Sequence, residues 1–392
     1  MRDVVVVAAC RTPIGTIGGQ FKDVKPIDLT IPVMQELVKR AGIDPAMIAD
    51  VVWGCNYQRT YLENNIGRVA AVKAGLPHTV PGITVHRNCT SSLSSVQIGY
   101  YQIKAGEADC VMTGGTDSMS QAPHMCFDFR YGKKFGHSEL RDSMWDSLTN
   151  TGVGVGMGLT AENVAERYGI TREMQDELAC ESQRRAINAI DKGYFKDEIV
   201  PIAVKSRKGE VVFDTDEYPK RDVTMEGLAK LKASFKDGGT VTAGNASGMN
   251  DASSGVILMA AEKAKELGLP VMAKIIGTAS TGVDPDYMGI GPISAITEAT
   301  KRAGIAPKDL DLVELNEAFA AQACACIKEL GLDKEKTNVN GSGISLGHPV
   351  GATGTRMITT LMYEAKRRGS VKYGCAAACA GGGMGIALIF EF

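Results

Sequence analysis

Three side chains of this sequence stand where covalent chemistry could be carried out. Cys89 lies in HRNCTSSL, where an apolar, strand-like segment gives way to a turn of small residues and then a helical stretch. A cysteine thiolate exchanges one sulfur acyl bond for another at little cost, so it suits attack on a thioester. A free thiol, with a pKa of about 8.5, is mostly protonated at neutral pH and needs a helix N-terminus or a neighbouring base. The position of Cys89 suits both aids. Its polar neighbours Arg87, Asn88 and Thr90 set it apart from a core-packing cysteine, the reading that fits most of the other cysteines among the ten. His348, one of five histidines, sits in a glycine-rich turn before a helical stretch. Cys379 follows a strand-like run and precedes three glycines, so its backbone can turn sharply and approach a substrate closely.

Other candidates have competing explanations. Asn316 opens NEAFA and a helical stretch, so it is a site residue, a helix N-cap or both. Residues 343–347, GISLG, spell the G-x-S-x-G nucleophile elbow with Ser345 at its centre. The only histidine after it is His348, in the same turn, where it is badly placed to act as a separate base. Cys324, Cys326 and Cys375 lack a second ligand pair at zinc spacing, so they are read as core packing and no metal site is expected.

The elements that must position these groups follow an α/β pattern. Strand-like runs at Val4–Ala9, Val51–Trp53 and Val111–Thr113 alternate with helical stretches such as Ile31–Arg40. KRAGIDP at 39–45 returns as KRAGIAP at 301–307, each after a helical stretch and before an apolar strand. Some distance beyond each copy come the turn of Cys89 and the turn of His348. Two related halves are therefore expected, with corresponding turns converging across a pseudo-twofold axis. Between them, residues 119–248 are richer in charged helix (Thr171–Asp191) and in polar, basic turns such as KSRKGE and EYPKRD. They read as an inserted loop domain beside the glycine- and serine-rich TAGNASGMNDASSG, either covering a ligand or simply decorating the surface.

Composition excludes several function classes. The chain has 392 residues, 44% of them hydrophobic and 22% charged, and a net charge of -2. It therefore lacks the basic excess that nucleic-acid binding requires. No apolar run is long enough to span a bilayer. The start of the sequence runs into VVVVAAC without a signal peptide, the end carries no peroxisomal tripeptide, and ten cysteines in so long a chain suit a reducing compartment, so cytoplasm is expected.

HRNCTSSL, NEAFA, GHPVGATG and CAGGGMG, in that order, together with the opening RTPIG and the segment TAENVAERYGI, resemble the motifs of the thiolases over nearly the whole chain. The resemblance implies a thiolase-like α/β fold: two duplicated βαβαβ-type halves with mixed five-stranded sheets in an α-β-α-β-α layering, plus the loop domain. The implied boundaries are 1–118 with 249–268, then 119–248, then 269–392. It implies an acyltransferase that moves an acetyl or acyl group between coenzyme A and acetyl-CoA or a 3-ketoacyl-CoA, with no prosthetic group. Cys89 would be acylated, His348 would activate it, and Cys379 would be the second acid/base. The N–H groups of Cys89 and Gly381 would form one oxyanion hole, and His348 with a water held by Asn316 a second. Ser247 would contact the pantetheine of coenzyme A. Met157, Leu231, Phe235, Ala318 and Phe319 would line its arm, with Lys220 or Arg221 beside the nucleotide. A homotetramer, as a dimer of dimers, is implied.

The sequence departs from the commoner thiolase pattern at Thr90, Ser91 and Ser92, at Gly156, and at Asp117. Gly156 stands where members specific for acetoacetyl-CoA often carry histidine, which leaves a longer-chain 3-ketoacyl-CoA thiolase as the alternative. Ketosynthases and HMG-CoA synthases resemble thiolases in fold, but they pair the nucleophile with two histidines or with glutamate and histidine. Cys379 separates this chain from them.

Overall fold

The computed structural model describes residues 2–206 and 209–392, so Arg207 and Lys208 of the basic KSRKGE turn lie outside the described residues. The N-terminal half contains β1 (Val4–Arg11), α1 (Pro26–Ala41), β2 (Asp50–Gly54), α2 (Ile66–Lys73), β3 (Gly82–Val85), α3 (Ser91–Ala105) and β4 (Cys110–Ser118). Two long helices follow, α4 (Met157–Tyr168) and α5 (Arg172–Asp191), before β5 (Asn250–Ala260) returns to the first sheet. The C-terminal half contains β6 (Ala273–Gly282), α6 (Gly291–Ala303), β7 (Leu312–Leu315), α7 (Ala320–Leu330), α8 (Thr353–Arg368), β8 (Tyr373–Ala380) and β9 (Met384–Glu391). No described helix is long and apolar enough to cross a membrane.

The sequence echo has a local physical cause. In both copies a helix ends on Lys-Arg-Ala, and the following glycine, Gly42 or Gly304, takes a left-handed conformation with φ of 64° and 74°. Glycine pays no Cβ penalty there, and the two cations face the negative end of the helix dipole. The strands repeat the relation. β1 pairs antiparallel with β5, β5 antiparallel with β4, and β4 parallel with β2; β6, β9, β8 and β7 repeat that pattern.

Two features go beyond the sequence reading. The sheets are joined edge to edge, because Val4–Val6 of β1 pair with Ile275–Ala273 of β6 and give one continuous sheet ordered β7-β8-β9-β6-β1-β5-β4-β2-β3. The fifth strand of the second half is reduced to a single bridge between Val313 and Thr337. Asn338, at φ 52°, breaks the extended backbone, and its side-chain amide pairs with Leu315 N and O at 2.8 Å each, in place of a strand.

The layers follow from side-chain alternation along the strands. Val4 and Val6 of β1 face a central layer in which Leu93, Val96 and Ile103 of α3 pack with Met357, Ile358 and Leu361 of α8. Val5 and Val7 face the other way, against Val33, Met34 and Leu37 of α1. On the far side, Ala295, Ile296 and Ala299 of α6 and Ala323 and Cys326 of α7 cover Cys375 and Ile389. The order is α-β-α-β-α, and the two innermost helices are those that begin beside Cys89 and His348.

A buried ion cluster ties the segment between β4 and β5 to the first strand. Arg11 Nε donates to Glu198 Oε1 at 2.7 Å, and its two terminal nitrogens donate to Asp216 at 2.7 and 2.9 Å. All three side chains are buried. Removing one partner strands a desolvated charge, so Asp216→Ala is expected to lower unfolding free energy by about 3–5 kcal/mol. Urea denaturation measures it, and a loss below about 1 kcal/mol would mean that water reaches the guanidinium.

Candidate active site

Beyond β3 the chain reaches Asn88, whose φ of 47° is one of two positive values at a non-glycine residue among the described ones. Asparagine tolerates that conformation better than most residues. The kink allows Asn88 Nδ2 to donate to Gly381 O at 2.8 Å, which ties the Cys89 turn to the glycine turn after Cys379. Ser91 Oγ accepts from Arg87 N at 2.9 Å and closes the turn ahead of α3. Cys89 is half-buried there, with the N–H groups of Gly381 and of Cys89 itself facing its sulfur. Burial outweighs them and pushes the thiol up to about 11. The helix N-terminus does not hold Cys89 as a thiolate in this structure, contrary to the simplest expectation from the sequence.

Cys379 is the last but one residue of β8, opposite Gly385 in the hairpin to β9, and is fully buried. Burial raises its thiol well above the ordinary range, and the nearby Cys89 adds to the shift, so the two sulfurs sense each other. Cys379 shares an apolar cluster with Met157, Met288, Ala318 and Phe319.

His348 is held at both ends. Its backbone N–H donates to Asn250 Oδ1 at 2.9 Å, and its Nδ1 lies 2.6 Å from Thr353 Oγ1. The Thr353 hydroxyl donates to Pro349 O at 2.9 Å, so its oxygen accepts from the ring and the proton is assigned to Nδ1. Nε2 is left with a free lone pair, buried and without a partner among the described residues. Burial, helped by the charge of Arg356, pushes the imidazole down to about 3, so it is neutral at ordinary pH.

Asn316 follows β7, and its N–H donates to Ala377 O at 2.9 Å. It is not a helix cap. Helix α7 starts at Ala320 with Phe319 in the cap position, and Gln322 Oε1 reaches back to the N–H groups of Ala318 and Phe319. Both polar atoms of the Asn316 side chain are buried and unpartnered. Of nine such orphaned side-chain atoms among the described residues, three belong to Asn316 and His348. Each orphan costs about 1–3 kcal/mol, which a site recovers only when a ligand or water arrives. A Cβ added to Gly343 would lie 2.8 Å from Asn316 Oδ1, so glycine brings the loop leading to His348 against Asn316.

A cavity of about 370 Å³ opens on Cys89 and Gly381, walled by Tyr57, Leu148, Met157 and Val350. A second cavity, of about 590 Å³, lies between α5 and α7, and none of the predicted site residues lines it. Three of the expected coenzyme contacts, Met157, Ala318 and Phe319, share the cluster of Cys379. Phe235 stacks edge-on against Phe319 at 6.2 Å, Ser247 N donates to Ala318 O at 3.0 Å, and Leu231 lies against Gly244. The cations sit apart. Arg221 is engaged by Asp191 at 2.6 and 3.0 Å, while Lys220 stands 5.5 Å from the ring of Tyr218, which itself abuts Gly248.

Comparison with known proteins decides the family. The family model described as thiolase, N-terminal domain, matches residues 4–262, and that described as thiolase, C-terminal domain, matches residues 269–392. The chain belongs to the thiolase family. It is 50% identical to an acetyl-CoA acetyltransferase of Syntrophomonas wolfei subsp. wolfei, over 100% of this chain and 99% of the relative. The crystal structure of the Bacillus anthracis acetyl-CoA acetyltransferase superposes with a TM-score of 0.97 at 49% identity, covering 100% of this chain and 99% of that one. Human mitochondrial 3-ketoacyl-CoA thiolase, in complex with CoA, gives 0.96 at 42% identity, covering 100% and 98%.

The thiolase geometry removes the hydrolase alternative. Ser345 Oγ is buried and lies 2.8 Å from Ser182 Oγ, whose own proton goes to Glu317, so the Ser345 hydroxyl donates to Ser182, and the His348 ring is turned to Thr353 instead. Sequence reasoning missed Asn88, Asn250 and Thr353. Asn88 carried a signal, an asparagine immediately before the nucleophile at a sharp turn. Asn250 and Thr353 are ordinary residues until the fold brings them to His348.

Proposed function

We propose that this thiolase transfers an acetyl or acyl group reversibly between coenzyme A and acetyl-CoA or a 3-ketoacyl-CoA, through a thioester on Cys89. What supports the reading is a thiol, Cys89, whose charge a second buried thiol, Cys379, senses, together with Val350 of the His348 turn in the wall of the Cys89 cavity and a neutral His348 whose buried Nε2 has no partner among the described residues. Cys89 attacks the thioester carbonyl, and its proton passes to His348 Nε2. The departing coenzyme A sulfur takes the proton of Cys379, which leaves Cys379 as the thiolate although burial disfavours that form. It then removes a proton from the α-carbon of a second acetyl-CoA. The carbanion attacks the acyl carbon, and Cys89 leaves and recovers its proton from His348. The N–H groups of Cys89 and Gly381 stabilise one oxyanion, and His348 with a water on Asn316 the other, each donor contributing about 2.7–4 kcal/mol to the transition state.

Residues 119–248 would cover the coenzyme, with Ser247, Met157, Leu231, Phe235, Ala318 and Phe319 along the pantetheine arm. Lys220 rather than Arg221 would meet the nucleotide, since Asp191 already occupies Arg221. The enzyme would work in the cytoplasm as a homotetramer. A cavity of 370 Å³ with Leu148, Met157 and Val350 in its wall supports a second reading, in which acyl chains longer than acetyl are accepted.

Intact-mass spectrometry of the protein mixed with acetoacetyl-CoA tests the route. The expected result is one acetyl group on the Cys89 peptide, discharged by added coenzyme A; no adduct, or an adduct elsewhere, sinks the reading. Longer 3-ketoacyl-CoAs in the same assay separate the two chain-length readings. The pH dependence carries a further expectation. With Cys89 at about 11 and His348 at about 3, the protonated thiol and the neutral imidazole coexist between those values. Stopped-flow acylation rates are therefore expected to stay flat across neutral pH. A rise following a group titrating near 7 would contradict that assignment.

A further inference from the structure

Asp117, the last but one residue of β4, is fully buried and pairs with no lysine or arginine among the described residues. A buried carboxylate without a countercharge is costly, so the groups around it need an account. Oδ1 accepts from Asn56 N at 2.8 Å and Tyr57 N at 3.0 Å, with Cys55 Sγ at 3.7 Å. Oδ2 accepts from Asn56 Nδ2 at 2.9 Å and Gly351 N at 2.5 Å. Asn56 and Tyr57 wall the cavity that opens on Cys89. Gly351 lies three residues after His348, in the turn that also presents Val350 to that cavity.

The network continues to the nucleophile. Asn56 Oδ1 lies 3.1 Å from Ser91 Oγ, the hydroxyl that closes the Cys89 turn. The fit is tight, since a Cβ on Gly351 would lie 2.7 Å from Asp117 Oδ2 and one on Gly115 would collide with Gly351 O. We propose that Asp117 is a positioning residue for acyl transfer, whose carboxylate locks the wall of the Cys89 pocket and the turn carrying His348 into one register. This inference rests on the acyl-transfer reading above. All four nitrogen partners of Asp117 are donors, so only an acceptor-only side chain satisfies them; an amide would turn its NH₂ toward N–H groups. The charge also carries a cost for the chemistry. The titratable groups facing Asp117 are Cys55, Tyr57 and Cys89, and its negative charge opposes formation of the thiolate on Cys89.

Asp117→Asn separates positioning from plain structural support. Its kcat for acyl transfer is expected to fall about 10- to 100-fold with KM within about threefold, as misplaced reacting groups do. The midpoint of Cys89 alkylation by iodoacetamide is expected to move to lower pH, because the opposing charge is gone. A kcat within about twofold of wild type, or an unmoved or raised midpoint, overturns the proposal. Should Asp117→Asn fail to fold, Asn56→Ala keeps the carboxylate and cuts its link to Ser91. It is expected to lose kcat about tenfold, and wild-type kcat in that variant overturns the proposal. Alkylation needs no acyl-CoA, so a wild-type protein without transferase activity would sink the acyl-transfer reading while the alkylation shift still reports on Asp117.

Discussion

Cys89→Ala is expected to lower acyl transfer by about 10⁴-fold or more while leaving the fold intact, since no other group can form the thioester intermediate. Truncation to alanine at this half-buried position removes one sulfur and disturbs none of the backbone contacts that set the turn. The check is a thiolysis assay with acetoacetyl-CoA beside circular dichroism of the variant. Activity within about tenfold of wild type, with the fold retained, would mean that acyl transfer bypasses Cys89. The neighbouring groups explain why the loss should be so large. Cys379 is more deeply buried than Cys89, and its thiol is raised further, so it is no substitute nucleophile.

Cys379→Ala is expected to split the reaction where Cys89→Ala abolishes it. Acylation of Cys89 by acetyl-CoA is expected to slow, since the departing coenzyme A sulfur loses its proton donor, but to continue, because His348 Nε2 and the N–H groups of Cys89 and Gly381 remain and the sulfur can leave as a thiolate. Condensation with a second acetyl-CoA is expected to fall about 10²- to 10⁴-fold, the usual range for removing a positioned base. Acetyl-enzyme should then accumulate, visible as a persistent adduct by intact mass. An adduct that turns over at the wild-type rate would assign proton abstraction to another group, and His348 would be the first to test. The burial of Cys379 gives the split its physical basis: its thiolate is disfavoured at rest, so its proton is available to the departing coenzyme A sulfur, which leaves it charged only once the acyl group is in place.

Raising Cys89 to about 11 has a consequence for specificity of reaction. At neutral pH about one molecule in ten thousand would carry the free thiolate, so stray electrophiles and oxidants meet a mostly inert thiol. The same burial that suppresses the thiolate keeps His348 neutral. On the proposed mechanism, the two would exchange a proton only when a carbonyl is present to receive the sulfur. Asp117 adds to that restraint through its charge and, on the proposal above, returns the benefit through position.

The sequence by itself determined the elements and the candidates for the reacting groups. Helix ends at Lys-Arg-Ala-Gly, strands with runs of valine and glycine-framed turns are local choices, written within a few residues of where they act. Duplication was legible for the same reason, since both copies need the same left-handed cap. Tertiary structure alone decided the rest. Asn316 reads locally as a cap, yet its side chain is left unpartnered because Phe319 and Gln322 cap α7. Ser345 spells a nucleophile elbow, yet Ser182, far away in sequence, takes its hydroxyl. The tautomer of His348 depends on Thr353, its placement on Asn250, and its register with the Cys89 pocket on Asp117. Most of these contacts join segments about a hundred residues apart or more, and the short-range ones involve side chains with several possible partners. No local propensity encodes them; packing of the two halves selects one.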